Sequence, residues 1–159
     1  MFARSSPSVC QRRRSRRGAV TVEFAVVAPL LVGVFLGMVQ ASRIFETQNL
    51  LASAAREGGR MAAMGREGLV APGESMNAKI QQNIKNLLKA SGVPTGALNV
   101  DIVDPDNSSI TFDLDDPANA YKLFAIEITL PYTDQFTSVG GFDLKARVVF
   151  RNAPATIME

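Results

Sequence analysis

Residues 12–37 read RRRSRRGAVTVEFAVVAPLLVGVFLG, an arginine cluster running into an apolar stretch that holds a single carboxylate, Glu23. Residues 24–42 form an uncharged run of 19 residues. A helix rises about 1.5 Å per residue and a hydrocarbon core is about 30 Å thick, so roughly 20 residues cross it. The segment 19–42 meets that length and is expected to span a membrane. An acid placed inside such a run calls for an explanation. At the centre of a span a carboxylate costs about 2.5–3.5 kcal/mol, and only near an end does it reach headgroups cheaply.

Charge divides the chain at the same place. Six of the 17 basic residues precede Gly18 with no acid among them, leaving 11 basic against 15 acidic in the remainder. A short arginine-rich flank stays on the cytoplasmic side of a span, which predicts an N-terminus inside and a body outside. RRRSRR also has the composition of a nucleic-acid arm. Because an apolar run begins directly after it, the cluster reads as the flank of a span, and no nucleic-acid partner is expected.

The side-chain inventory narrows the chemistry. The chain has no histidine, no tryptophan and one cysteine, Cys10, in the basic leader. No disulfide framework is available to the body, and the usual nucleophile–base pairs and zinc ligands are missing. Asp104, Asp106, Asn107, Asp113, Asp115 and Asp116 supply oxygen ligands of the kind calcium takes. Against an EF-hand pattern, however, Ser109 stands at the sharp-turn glycine and Asp115 at the bidentate glutamate. The same residue types are ordinary turn formers. Carboxylates alone suffice for some hydrolases, but no acid pair stands out. The expectation is a protein that is not an enzyme, with no cofactor, metal or small-molecule substrate.

Three readings fit the leader. An ordinary signal sequence would be cut after Ala41, since Val39-Gln40-Ala41 puts small residues at the positions a signal peptidase reads; its apolar region is normally about 7–15 residues. A plain anchor would never be cut and would leave Glu23 at the interface. The third is suggested by Gly18-Ala19-Val20-Thr21-Val22-Glu23-Phe24, which resembles the processing site of type IV pilin-like precursors: a basic leader ending in Gly, then a span with Glu at the fifth mature position. The run AVTVEFAVVAPLLVGVFLG, with Pro29 six residues beyond Glu23, is similar to the TadE branch of tight-adherence (Flp) pilus proteins. So is AAREGGR at residues 54–60, with Gly59 where that branch more often has Ala.

That resemblance implies a TadE-like minor pseudopilin, cut between Gly18 and Ala19 by a prepilin peptidase and acting in Flp-type pilus assembly or related secretion. It further implies a single-pass protein of the bacterial cytoplasmic membrane, with other pilin-like subunits and the assembly ATPase and platform as partners. A cut after Gly18 would expose the α-amine of Ala19, of ordinary pKa about 7.7–8.0. Glu23 lies four residues on, along the same helical face. Its carboxylate would offset that amine, or a neighbour's, and a matched buried pair costs far less than a lone charge. Pro29 removes one intrahelical bond, so a kink or local loosening is expected. The small pair Gly33 and Gly37 offers a close-approach face for another helix, and Phe24 is a further residue expected in helix packing. Arg56 and Arg60, at i and i+4, are candidate partner contacts.

Beyond the span the pattern predicts an α+β head over residues 43–159. Residues 43–64 continue the helix, with a bend or end expected at Gly58-Gly59, because each glycine weakens a helix interior by about 1 kcal/mol. A second helix is expected over 76–90, capped by Ser75 and closed by Gly92. The hydrophobic period then changes to two. Strands are expected at about 97–103, 109–114, 122–132 and 142–151, forming an antiparallel sheet of three or four strands. The intervening turns are marked by residues 104–107, 115–117 and Gly140-Gly141.

Overall fold

The computed structural model describes residues 16–65, 69–71, 73–132 and 141–153. The arginine cluster Arg12–Arg14, Cys10 and Gly140, all named above, lie outside the described residues. Helix α1 covers Arg16–Met64 and passes through Pro29 without losing its helical assignment. Chain contacts divide the protein into two compact units, Met1–Ser42 and Arg43–Glu159.

In the first unit, α1 is apolar on every side. Val22, Val26, Leu30, Val34 and Leu36 are all exposed, as are Phe24 and Phe35. A helix apolar all round belongs in a core or a bilayer, and by length and composition this one is able to cross a membrane.

The second unit is an α+β head. The remainder of α1 and helix α2 (Met76–Ala90) cover one face of an antiparallel sheet. Its strands β1 (Asn99–Val103), β2 (Leu123–Tyr132) and β3 (Phe142–Arg151) lie in the order β1-β2-β3. The sheet contributes Val100, Ile102, Phe124, Ile126, Ile128, Leu130, Leu144 and Ala146 to the core, and the helices contribute Leu51, Ala54, Ala55, Ile80, Ile84 and Leu88. The period-two residues share one face because the register places Ile102 opposite Ile126 and Ile128 opposite Ala146.

The bend expected at Gly58-Gly59 does not occur. Both glycines are buried and helical. A Cβ on Gly58 would stand 2.5 Å from Ile84 Cδ1, and one on Gly59 would overlap the ring of Phe150. The missing side chains admit α2 on one side and β3 on the other, and that packing outweighs their low helix propensity. At Gly59, where the resembling branch more often has Ala, this head has a phenyl ring instead.

Residues 109–114 are not a strand of the sheet. They contribute one isolated bridge, Val103 to Thr111, because side chains take the backbone groups a ladder would need. Asn77 Nδ2 donates to the Phe112 carbonyl (2.7 Å) and Asn77 Oδ1 accepts from the Leu114 N–H (3.1 Å). The Leu114 carbonyl accepts from Asn152 Nδ2 at 3.3 Å, and Asn152 is the one buried polar side chain among the described residues. Alternation is kept nonetheless, since Phe112 and Leu114 enter the core while Asp113 stays outside.

Helix α2 begins and ends by different means. Ser75 holds the N-cap position, but its side chain makes no cap bond; the Met76 N–H donates instead to Asp115 Oδ2 at 2.8 Å. At the other end Gly92, at φ +80°, donates to the Lys89 carbonyl and Val93 to that of Leu88. This is a Schellman closure, with Val93 buried in the core behind it.

Two substitutions test this packing by denaturant unfolding of the full chain in detergent. An ordinary helical Gly→Ala change gains about 1 kcal/mol, whereas Gly59→Ala should lose roughly 1–3 kcal/mol through overpacking; increased stability would contradict the contact with Phe150. Asn77→Ala should cost about 1–3 kcal/mol by orphaning the backbone at 112–114.

Candidate functional site

The residues singled out in the sequence occupy three regions. The first is the beginning of α1. Its assigned helix starts at Arg16, so the Gly18–Ala19 bond falls within the first turn of the uncut chain. Glu23 follows Ala19 by four helical residues, a rise of about 6 Å. Glu23 and Phe24 are both exposed, as is Pro29. A Cβ on Gly33 or Gly37 would meet nothing within 4 Å. These residues are therefore open, on different sides of the helix, to contact by lipid or another helix.

The second region is the charged face of α1 in the head. Arg56 and Arg60 are exposed, but they differ. Arg60 Nε donates to Glu57 Oε2 at 3.1 Å and Arg60 Nη2 to Glu57 Oε1 at 2.9 Å. This forked pair, three residues apart, holds the Glu57 carboxyl below its ordinary range by hydrogen bonding and then by the nearby charge. It raises the guanidinium correspondingly. Both groups are solvated, so the pair adds little stability. Arg56 makes no such pair and is the freer of the two arginines. Beside them a groove of about 540 Å³ runs between α1 and α2, with Glu57 as the only acid in its lining. The rest of that lining is Ala54, Gly58, Met61, Asn83, Ile84, Asn86 and Leu87. No second carboxylate converges there to form an acid pair.

The third region holds the clustered acids. Asp104 Oδ1 accepts from the N–H groups of Asp106 and Asn107, and Asn107 Oδ1 from that of Ser109. Asp113 Oδ1 accepts from the Asp115 N–H, Asp116 Oδ1 from the Ala118 N–H, and Asp115 caps α2. The carboxylates of Asp104, Asp113, Asp115 and Asp116 are each bound to backbone, as expected of turn residues. Among the described residues no group of three acids, cysteines or histidines is placed to hold a metal ion. The outer face of the sheet carries one further ionic cluster. Arg147 Nε lies 3.0 Å from Glu127 Oε1, which also accepts from Ser108 Oγ at 2.7 Å. These bonds draw the 104–111 loop over Val103 and Ala125, both buried on that face.

The capping role of Asp115 and the clamping roles of Asn77 and Asn152 escaped the sequence reading. Each reaches a backbone at least 33 residues away, and local pattern carries no signal for such pairs.

A family model described as TadE-like protein matches residues 18–60. No curated protein and no solved structure matches the chain. The matched segment takes in Gly18, Glu23, Pro29 and Ala54 through Arg60, the features on which the resemblance was drawn.

Because the acids already serve the turns, adding calcium at millimolar concentration should leave the Tm of the head transition unchanged. A calcium-dependent rise in Tm would show a site that this arrangement does not provide.

Proposed function

We propose that this chain is a non-enzymatic, TadE-like minor pseudopilin, cut after Gly18 and taking part in the assembly of a Flp-type pilus or the related secretion apparatus. The observation that carries the reading is the extent of the family match, which opens at Gly18 itself and ends at Arg60. It therefore joins the processing position, the span and the first turns of the head in one unit.

The physical mechanism follows from the spacing. Removal of the leader gives Ala19 a cationic amine at the first turn of a new helix, where unpaired N–H groups already favour negative charge. Glu23 is one turn away and offsets the amine of its own helix or of a neighbour. When apolar helices pack side by side, that match sets their axial register, because a displaced subunit leaves a charge unpaired. The basic leader faces the cytoplasm and the head lies outside the cytoplasmic membrane. There it meets other pilin-like subunits and the assembly machinery, with Arg56 as an available contact.

Mass spectrometry of the mature chain, from cells with and without a prepilin peptidase, tests the reading. An N-terminus at Ala19 that depends on the peptidase is expected. A chain beginning at Ser42 would indicate an ordinary secreted domain, and an intact Met1 a plain anchor. In a second test, Glu23→Val should insert normally yet reduce piliation at least about tenfold, since removing one partner of a buried charge pair costs about 3–5 kcal/mol. Normal piliation would remove the role assigned to Glu23.

A further inference from the structure

Two contacts fix how β3 runs beside α1 within the head. Gln48 Nε2 donates to the Lys145 carbonyl at 2.6 Å, and Gly59 faces the ring of Phe150. The helix advances about 16 Å between the first pair and the second, and the strand advances about the same distance. Helix and strand therefore run side by side in one direction. Followed back about 10 Å from Lys145, the strand begins at Phe142, level with the Arg43 end of the head. Tyr132 pairs with Phe142 in register, and their ring centroids are 5.4 Å apart.

This end of the head has a distinctive surface. Phe45 is 68% exposed and Phe142 46% exposed, with the exposed cations Arg43 and Lys145 and the exposed acids Glu46 and Asp143 beside them. Tyr132 is half-buried and packs against the core. In water, two open phenyl rings are unfavourable. Aromatic rings with adjoining cations suit the zone where acyl chains meet phosphate headgroups. Arg43 directly follows the uncharged run at residues 24–42, so the chain itself delivers this end to the edge of a bilayer.

We propose that the Arg43 end of the head is a lipid-docking surface. Phe45, Phe142 and Tyr132 seat at the acyl–headgroup boundary, and Arg43 and Lys145 meet lipid phosphates. The partner is the lipid surface, and the inference rests on the membrane-spanning reading of α1.

The chain has no tryptophan, so each substitution by Trp creates a single fluorescent reporter. Full-length Phe142→Trp, Phe45→Trp, Leu123→Trp and Phe35→Trp proteins are reconstituted in phosphatidylcholine–phosphatidylglycerol vesicles, with and without lipids brominated near the headgroup end of the acyl chain. Leu123 lies at the opposite end of β2, about 30 Å from Tyr132, and reports the far side of the head. Phe35 lies within the apolar run and reports insertion. Roughly twofold quenching with a blue shift is expected at positions 142 and 45, and none at 123. Quenching at 35 with position 142 as bright as 123 overturns the docking surface and leaves the span intact, even if position 45 is quenched. A blue shift at 142 without lipid quenching assigns the surface to protein contact and overturns it equally. Loss of quenching at 35 defeats the span itself, and the docking surface with it.

Discussion

At Gly59 a helix backbone and a phenyl ring compete for one volume, and the ring occupies it. That contact is one of those that seat the sheet on α1. It brings α1 close enough to β3 for Leu51, Ala54, Ala55 and Ala62 to share a core with Phe124, Ile126 and Ile128. It leaves the neighbouring Gly58 for Ile84 of α2. Two adjacent residues without side chains thus seat a sheet and a helix on one turn of α1. Dispersion and burial at this junction are short-ranged, so a shift of one methyl group is felt there.

The strongest local signals in the sequence correspond to structure: the apolar run of α1, the Met and Ile stripe of α2, and the alternation of β1, β2 and β3. Each repeats one period over many residues. The errors come from places where a distant partner outweighs a local preference. Gly58-Gly59 looks like a helix break because propensity is local, whereas the packing that sustains the helix arrives from Ile84 and Phe150. Residues 109–114 alternate as a strand does, yet Asn77 and Asn152 take the backbone positions of a neighbouring ladder. Ser75 is the natural cap by position, but it is Asp115, from another part of the chain, that accepts from the first N–H of the helix, that of Met76. Among the candidate site residues, the Gly18–Glu23 spacing was legible from order alone. That Arg60 is already bound to Glu57 depends on rotamers, which a sequence does not display.

The head holds together without a disulfide by giving its polar side chains backbone work. Asp104, Asp113 and Asp116 tie down turns, Asn152 is satisfied inside the core, and Gln81 donates to the Val100 carbonyl at 3.0 Å. Among the described residues no buried side-chain nitrogen or oxygen lacks a partner. Such bonds contribute modestly one by one, but leaving any of them unmade is costly. Along residues 104–118 they hold successive turns by specific atoms.

The hydrogen bond from Gln48 to Lys145 has a consequence for crowding. β3 is the last strand of its sheet, and a bare strand margin invites pairing with the margin of another molecule. Gln48 occupies one carbonyl of that margin, and the exposed side chains of Asp143, Lys145 and Arg151 make the strand charged, with Arg147 held by Glu127. A strand margin that is charged and partly occupied is a poor template for a second sheet, so crowded heads are protected from fusing edge to edge.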